Sequence, residues 1–132
     1  MKFSRFFLVI LVVVAVFFHL TGLFASPRID PKEATSRLDS GNAVLVDVRE
    51  PNEWADGVVD GALLLPLSDL RGNRTLWGPA LDTHRNKEFI LYCRSGNRSE
   101  IALKILQTEG IKGSNAGGFS TWQNSGAPVT KP

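Results

Sequence analysis

The sequence predicts an α/β domain built on a mostly parallel sheet, preceded by an apolar leader helix. Three apolar runs of strand length, Ala43–Val48, Ala62–Leu65 and Glu88–Tyr92, alternate with segments that have helical or turn patterns. Only Asp47 interrupts the first run, which is typical of a strand buried on both faces. In sheets of this kind ligands bind where strand ends meet helix starts.

The composition allows one domain and excludes several functional classes. Of 132 residues, the 107 that follow Ala25 carry 13 acidic and 13 basic side chains, since Lys2 and Arg5 account for two of the 15 basic residues. A neutral chain of this length can bury its own core, and it lacks the basic run of a nucleic-acid-binding protein. One cysteine and two histidines cannot form an intrachain disulfide or a zinc site, so we predict no metal and no cofactor. His84 lies in a polar stretch and is predicted to be a solvated surface residue.

The N-terminus has the pattern of an export signal. Positive charge at Lys2 and Arg5 precedes 13 apolar residues, Phe6–Phe18, and the apolar segment extends to Ala25. It is either a cleaved signal peptide or an uncleaved membrane anchor, and both place the domain on the periplasmic or extracytoplasmic side. The predicted segments are therefore the leader (1–25), a linker (26–29) and the domain (30–132).

The first helix has a clear start signal. Asp30 is in the position of an N-cap, Pro31 in the first helical position, and Glu33 three residues after the cap. The helix is predicted to continue to about Ser40 and to end at Gly41.

The segment between the first and third strands has fewer apolar residues. Arg49–Gly57 predicts a polar turn or short helix, and Pro66 ends the second strand. Within Leu67–Lys87 we predict turns and one short helix, Ser68–Arg71, capped by Ser68.

After the third strand the pattern becomes helical again. Ser99–Glu109 predicts a helix, with one apolar face formed by Ile101, Ala102, Ile105 and Leu106. The Gly117-Gly118 pair and a helical turn, Phe119–Gln123, follow it. Three tryptophans spread along the chain favour core and rim packing over a ligand platform: Trp54, Trp77 and Trp122.

The sequence Cys93-Arg94-Ser95-Gly96-Asn97-Arg98-Ser99 lies at the turn from a buried strand into this helix. Unpaired N–H groups and the helix dipole at that position favour a thiolate, so the pKa of Cys93 is predicted below its free value of about 8.5. Gly96 allows the loop N–H groups to turn inward as an anion-binding nest. Arginine side chains there can bind an oxyanion in a bidentate manner.

Three ordered blocks of sequence resemble the single-domain rhodanese family. The first contains Asp47, Arg49, Glu53-Trp54, Gly57, Gly61-Ala62 and Pro66; the second is the loop of Tyr92–Ser99; the third contains Gly117-Gly118, Trp122, Gly126 and Pro128. Val58 and Leu64 depart from the family pattern, at positions that are usually structural. The resemblance implies a five-stranded parallel sheet flanked by helices and sulfur transfer through a cysteine persulfide.

The residues and the resemblance together predict the site. Cys93 is the catalytic nucleophile, and the substrate-binding residues are Arg94, Ser95, Gly96, Asn97 and Arg98. The donor is a small anion such as thiosulfate, and the acceptor is cyanide, a thiol or a protein. The membrane is contacted only through the leader, if it is uncleaved. Asp47 and Arg49 are interpreted as structural.

Two other functions stay open at this point. A cysteine phosphatase or arsenate reductase also needs a thiolate, an N–H cradle and an arginine, although Cys93 and Arg98 have C-x4-R spacing where phosphatases have C-x5-R. A binding module of the same fold, non-catalytic or carrying sulfur for a partner, is the other alternative.

Overall fold

The computed structural model describes residues 9–10 and 28–132. Apart from Val9 and Ile10, the predicted leader of residues 1–25 lies outside the described residues, and its export role stays a prediction. Within the described part of the chain, no helix is long and apolar enough to cross a membrane.

Residues 28–132 alternate between strands and helices. The helices are α1 (Pro31–Asp39), a 3-10 helix (Pro51–Asp56), α2 (Leu67–Arg71), α3 (Trp77–His84), α4 (Asn97–Thr108) and α5 (Phe119–Asn124). The strands are β1 (Ala43–Asp47), β2 (Val58–Val59), β3 (Leu63–Leu64), β4 (Glu88–Cys93), β5 (Gly113–Gly118) and β6 (Val129–Thr130).

The main sheet has four parallel strands in the order β3-β1-β4-β5, so the predicted α/β class is confirmed. The expectation of five strands in this sheet is wrong for the described residues. At the outer edge of β5 only a single bridge, Arg28 to Asn115, occupies the place of a fifth strand. β2 and β6 form a separate antiparallel pair.

Strand β4 is the centre of the fold, and all six of its residues are buried. Its alternate side chains enter two cores on opposite faces of the sheet. Phe89 and Leu91 pack with Trp77 in one core, whereas Ile90 and Tyr92 pack in the other. Trp122 belongs to this second core and Trp54 is half-buried, so the tryptophans pack inside or at the edge as predicted.

Helix α1 begins as the sequence predicts. The Asp30 carboxylate accepts a hydrogen bond of 2.8 Å from the backbone N–H of Glu33, and Pro31 is the first helical residue. Helix α2 begins one residue earlier than predicted, after Pro66. The cap assigned to Ser68 is wrong, because its hydroxyl donates to Glu50 at 2.7 Å.

Helix α3 falls where only turns were expected. The carboxylate of Asp69 accepts the backbone N–H groups of Thr75, Leu76 and Trp77 at 2.9, 3.0 and 2.9 Å. It therefore satisfies the N-terminus of α3 from outside the helix. His84, in the last turn, is half-buried rather than fully solvated.

The buried face of α4 also differs from the prediction. Ala102 and Leu106 are buried as expected, but Ile101 is 37% exposed and Leu103 takes its place in the core. The helix starts at Asn97, two residues before the predicted start. The earlier start places the first turn of α4 directly beside Cys93.

Candidate functional site

Cys93 is the last residue of β4, and the loop that follows turns immediately into α4. The cysteine has no exposed surface. The backbone N–H of Gly96 donates to Cys93 Sγ at 3.0 Å, and Ser99 Oγ lies 3.5 Å from the sulfur. The sulfur is thus held by groups that follow it in the chain by three and six residues.

These contacts favour the ionised sulfur. Burial raises the pKa of the Cys93 thiol, but hydrogen bonds from the Ser99 hydroxyl and from the backbone N–H groups of Ser99, Ser95 and Gly96 outweigh burial. The pKa therefore lies below the ordinary value, in the direction that the sequence predicts. A lowered pKa provides more thiolate, the nucleophilic form, at neutral pH.

The loop shape depends on two glycines, one for its backbone conformation and one for a close approach. Gly96 has a φ of 94°, in the left-handed region, which lets its N–H turn toward the sulfur. Gly118 of β5 lies under the loop, where a Cβ would be 2.6 Å from the carbonyl oxygen of Arg94. The Gly117-Gly118 pair and the cysteine loop, far apart in the sequence, therefore form one structural unit.

A buried amide connects the same two segments. Asn115 of β5 has no exposed surface, and its Oδ1 accepts from Ser99 Oγ at 2.8 Å and from the Gly117 N–H at 3.0 Å. Its Nδ2 donates to the Gly96 carbonyl at 2.9 Å and to Glu100 Oε2 at 3.2 Å. The amide thus connects the cysteine loop, the first turn of α4 and β5.

The two loop arginines have different surroundings. The guanidinium of Arg98 makes a bidentate ion pair with the Glu53 carboxylate, at 2.5 and 2.7 Å. Hydrogen bonding to Arg98 is the main reason that the pKa of Glu53 is lowered to about 2. Arg94 is exposed, and its side chain makes no hydrogen bond or ion pair with the described residues.

On the opposite face of the sheet, Asp47 and Arg49 form a buried ion pair of 2.7 Å, in agreement with their structural interpretation. The Tyr92 hydroxyl donates to Asp47 at 2.7 Å and accepts the Val59 N–H at 2.9 Å, while Arg49 also donates to the Gly57 carbonyl at 2.7 Å. Burial is the main cause that raises the pKa of Tyr92, so its hydroxyl stays protonated. The network ties β1, β4 and the segment before β2 together behind the loop.

The predicted residues lie in the loop and first helical turn after Cys93, and the backbone N–H groups of Gly96 and Ser95 donate to the sulfur. Among the described residues, no hydrogen bond joins the sulfur to the side chain of Arg94, Asn97 or Arg98. Arg94, Ser95 and Asn97 are exposed at the outer surface, Arg98 is half-buried, and Gly96 is buried. The sequence alone did not show which of these residues are exposed and which are buried.

The sequence reasoning did not select three residues that hold the loop: Glu53, Ser99 and Asn115. Ser99 is three residues after Gly96 in the first helical turn, a spacing that returns its side chain to the loop. Asn115 is a polar residue just before the glycine pair, and this position was its only signal in the sequence. Glu53 belongs to the first block of the family resemblance, but nothing in the sequence pairs it with Arg98, which is 45 residues away.

Comparison with known proteins gives a consistent family. A family model described as a rhodanese-like domain matches residues 30–125. The chain is 31% identical to a sulfurtransferase of Allochromatium vinosum, over 80% of this chain and 95% of that protein. It is 35% identical to an uncharacterised protein of Synechocystis, over 78% of this chain, and spans only 55% of that protein's length.

A solved structure shows the same fold. The rhodanese-related protein of Thermoplasma volcanium is 26% identical and superposes with a TM-score of 0.67, covering 80% of this chain and 99% of that one. The family match extends over well more than half of the chain and includes the cysteine loop, the glycine pair and the network around Asp47. The chain belongs to the rhodanese-like domain family.

Proposed function

We propose that this protein is a sulfurtransferase that carries sulfane sulfur as a persulfide on Cys93. The observation that carries the proposal is the Gly96 N–H, held 3.0 Å from a buried sulfur at the end of a strand. Membership of the family and similarity to a protein named sulfurtransferase support the reaction class.

In the first half-reaction the Cys93 thiolate attacks the outer sulfur of an anionic donor such as thiosulfate. A new S–S bond forms to Cys93, the S–S bond of thiosulfate breaks, and its electron pair leaves with sulfite. The product on the protein is the anion Cys93–S–S⁻, so total charge is unchanged. The Gly96 N–H stabilises a sulfur anion at this position because it is fixed before reaction, and the Ser99 hydroxyl can turn its proton to the same sulfur.

In the second half-reaction an acceptor takes the outer sulfur. Cyanide or a thiolate attacks it, the persulfide S–S bond breaks, and its electron pair returns to Cys93 as thiolate. The products are thiocyanate or the acceptor's persulfide. Neither step needs an external oxidant, a metal or a further cofactor.

The surroundings of Cys93 favour a narrow, anionic donor. The sulfur has no exposed surface, so under this proposal the loop has to move aside enough to admit one projecting atom of a small donor. The exposed guanidinium of Arg94 supplies positive charge at the entrance. Thiosulfate meets both conditions, since one sulfur projects from a sulfonate group.

The phosphatase or arsenate reductase alternative fits the loop less well. Only four residues separate Cys93 from Arg98, and Arg98 is already bound at both terminal nitrogens by Glu53. A tetrahedral phosphate needs a free arginine and a wider nest of N–H groups. The sulfur-carrier alternative differs from the proposal only in the second half-reaction.

The test is the intact mass of the purified protein after thiosulfate and again after cyanide, with Cys93→Ser as the control. We expect wild type alone to gain one sulfur atom, and cyanide to remove it as thiocyanate. A sulfur that persists in cyanide and in small thiols would favour a carrier for a protein partner. A folded, reduced protein that gains no sulfur from thiosulfate or any other sulfane donor would refute the proposal, and hydrolysis of an aryl phosphate would then support the phosphatase alternative.

A further inference from the structure

We propose that Asn115 is the positioning residue for Cys93, holding the Gly96 carbonyl and the Ser99 hydroxyl so that Gly96 N–H and Ser99 Oγ face the sulfur. Asn115 does not touch the sulfur itself. The inference rests on the proposed role of Cys93 as the nucleophile. It identifies the residue that keeps the hydrogen-bond donors of this sulfur in place.

The orientation of the Asn115 amide is determined by its partners. Oδ1 faces two donors, the Ser99 hydroxyl and the Gly117 N–H, at 2.8 and 3.0 Å. Nδ2 faces two acceptors, the Gly96 carbonyl and Glu100, at 2.9 and 3.2 Å. Exchanging the oxygen and the nitrogen would place like groups together in all four contacts, so only one orientation satisfies the buried amide.

The bond to Gly96 fixes the loop. Gly96 has a left-handed conformation with a φ of 94°, which a flexible glycine keeps only when its surroundings hold it. Asn115 holds the carbonyl of this residue at 2.9 Å, and the N–H of the same residue is the group that donates to Cys93. If Asn115 no longer holds the Gly96 carbonyl, the N–H of Gly96 is therefore no longer directed at the Cys93 sulfur.

The hydrogen bond between Asn115 and Ser99 determines the direction in which the single hydroxyl proton of Ser99 points. Three acceptors surround Ser99 Oγ: Asn115 Oδ1 at 2.8 Å, the Gly96 carbonyl at 3.0 Å and Cys93 Sγ at 3.5 Å. A neutral thiol leaves that proton on Asn115, the shortest contact, whereas a sulfur anion attracts it. When the proton turns to the sulfur, Oδ1 keeps the Gly117 N–H, so no buried acceptor is left unpaired.

The test is the pH dependence of Cys93 alkylation by iodoacetamide, followed by mass on the full chain freed of persulfide with cyanide. Cys93 is the only cysteine, so the alkylated site is unambiguous. The variants are Asn115→Leu, which has a similar volume, and Asn115→Ala, which removes the same hydrogen bonds and requires no larger side chain to fit. The matched control is Ser114→Ala, which removes a neighbouring buried hydrogen bond, to Glu88, away from the loop.

None of the substitutions replaces a charged residue near the sulfur and its loop: Arg94, Arg98, Glu53, Glu100, Asp47 and Arg49. We expect either folded Asn115 variant to raise the midpoint of the alkylation profile by about one pH unit, with roughly tenfold slower alkylation below it, because losing the fixed Gly96 N–H destabilises the sulfur anion more than the Ser99 proton freed from Asn115 stabilises it. Ser114→Ala is expected to keep the wild-type midpoint.

A midpoint that stays unchanged or falls in a folded Asn115 variant would overturn the proposal, as would an equal rise in Ser114→Ala. Circular dichroism and thermal unfolding establish that each variant is folded. Alkylation does not require sulfur transfer, so a wild type that gains no sulfur would refute the proposed function and still leave the profile to decide the role of Asn115.

Discussion

Replacing Gly118 by alanine tests whether the glycine pair controls the cysteine loop. The backbone of Gly118 has a φ of −106°, which any residue adopts, so alanine adds no backbone strain. Its Cβ would lie 2.6 Å from the Arg94 carbonyl oxygen, 3.3 Å from the Arg94 carbonyl carbon and 3.5 Å from Ser95 Cα. The substitution therefore acts on the loop alone, through backbone atoms that cannot rotate away.

The size of the displacement follows from the shortest of these contacts. Ordinary van der Waals contact begins at 3.4 Å, so the loop carbonyl and β5 have to separate by the difference from 2.6 Å, or about 0.8 Å. Misplacing a reacting group by about 1 Å can reduce a rate by two orders of magnitude. We expect thiocyanate formation from thiosulfate and cyanide to fall roughly tenfold to a hundredfold, while overpacking lowers the free energy of unfolding by about 1–3 kcal/mol.

The matched control is Gly110→Ala, at the end of α4. Gly110 has a φ of 75°, and no atom lies within 4 Å of the place that an alanine methyl group would take, so alanine there costs only backbone strain of about 1–2 kcal/mol. Steady-state rates and urea unfolding are measured for both variants. If Gly118→Ala keeps the wild-type rate, or if Gly110→Ala loses as much, the reasoning from the close approach is refuted.

Two further predictions concern the groups on either side of the sheet. The Glu53–Arg98 ion pair lowers the pKa of Glu53 to about 2, below the unfolded value of about 4.3. The pair therefore stabilises the fold fully above roughly pH 5, and this stabilisation is lost as the pH falls toward 2. Glu53→Gln should therefore lower the free energy of unfolding by about 1 kcal/mol at neutral pH and by less at about pH 3, measured with urea; an equal loss at both would contradict this. Tyr92→Phe leaves the Val59 N–H unpaired and removes a donor from Asp47, so we expect a loss of about 1–3 kcal/mol in urea with an unchanged pH profile of cysteine alkylation. A shifted profile would mean that the buried network acts on the sulfur.

The parts of the fold that the sequence predicts are those governed by local rules. The Asp30 cap, the β1 run and the turn at Cys93 each depend on residues within a few positions, and each is found as expected. Helix α3 was missed because Gly78 and Pro79 look like breakers. Both lie in its first turn, where a proline removes no helical hydrogen bond.

Strand β5 and the support of the site could not be predicted because their determinants are distant. The sequence GSNAGG has no apolar alternation, and it becomes a strand because β4 supplies its hydrogen-bond partners and the core covers it. Asn115 gains its role only once β5 lies beside the loop, and Glu53 only once the 3-10 helix reaches α4. The candidate nucleophile, Cys93, could be proposed from the sequence, whereas the groups that hold its sulfur depend on tertiary structure.

The two loop arginines have the same charge, but they have different binding partners. Arg98 uses both terminal nitrogens on Glu53, so the pair has no net charge and its attraction for a donor anion is small. The pair joins the 3-10 helix to the first turn of α4, and so it steadies the helix start that follows the sulfur. Arg94 is exposed and makes no such bond among the described residues, so its full charge is available to an incoming anion. A guanidinium already bound by a carboxylate has to be released before it can bind a donor, so under the proposed function we expect Arg98 to hold the loop and Arg94 to attract the donor anion.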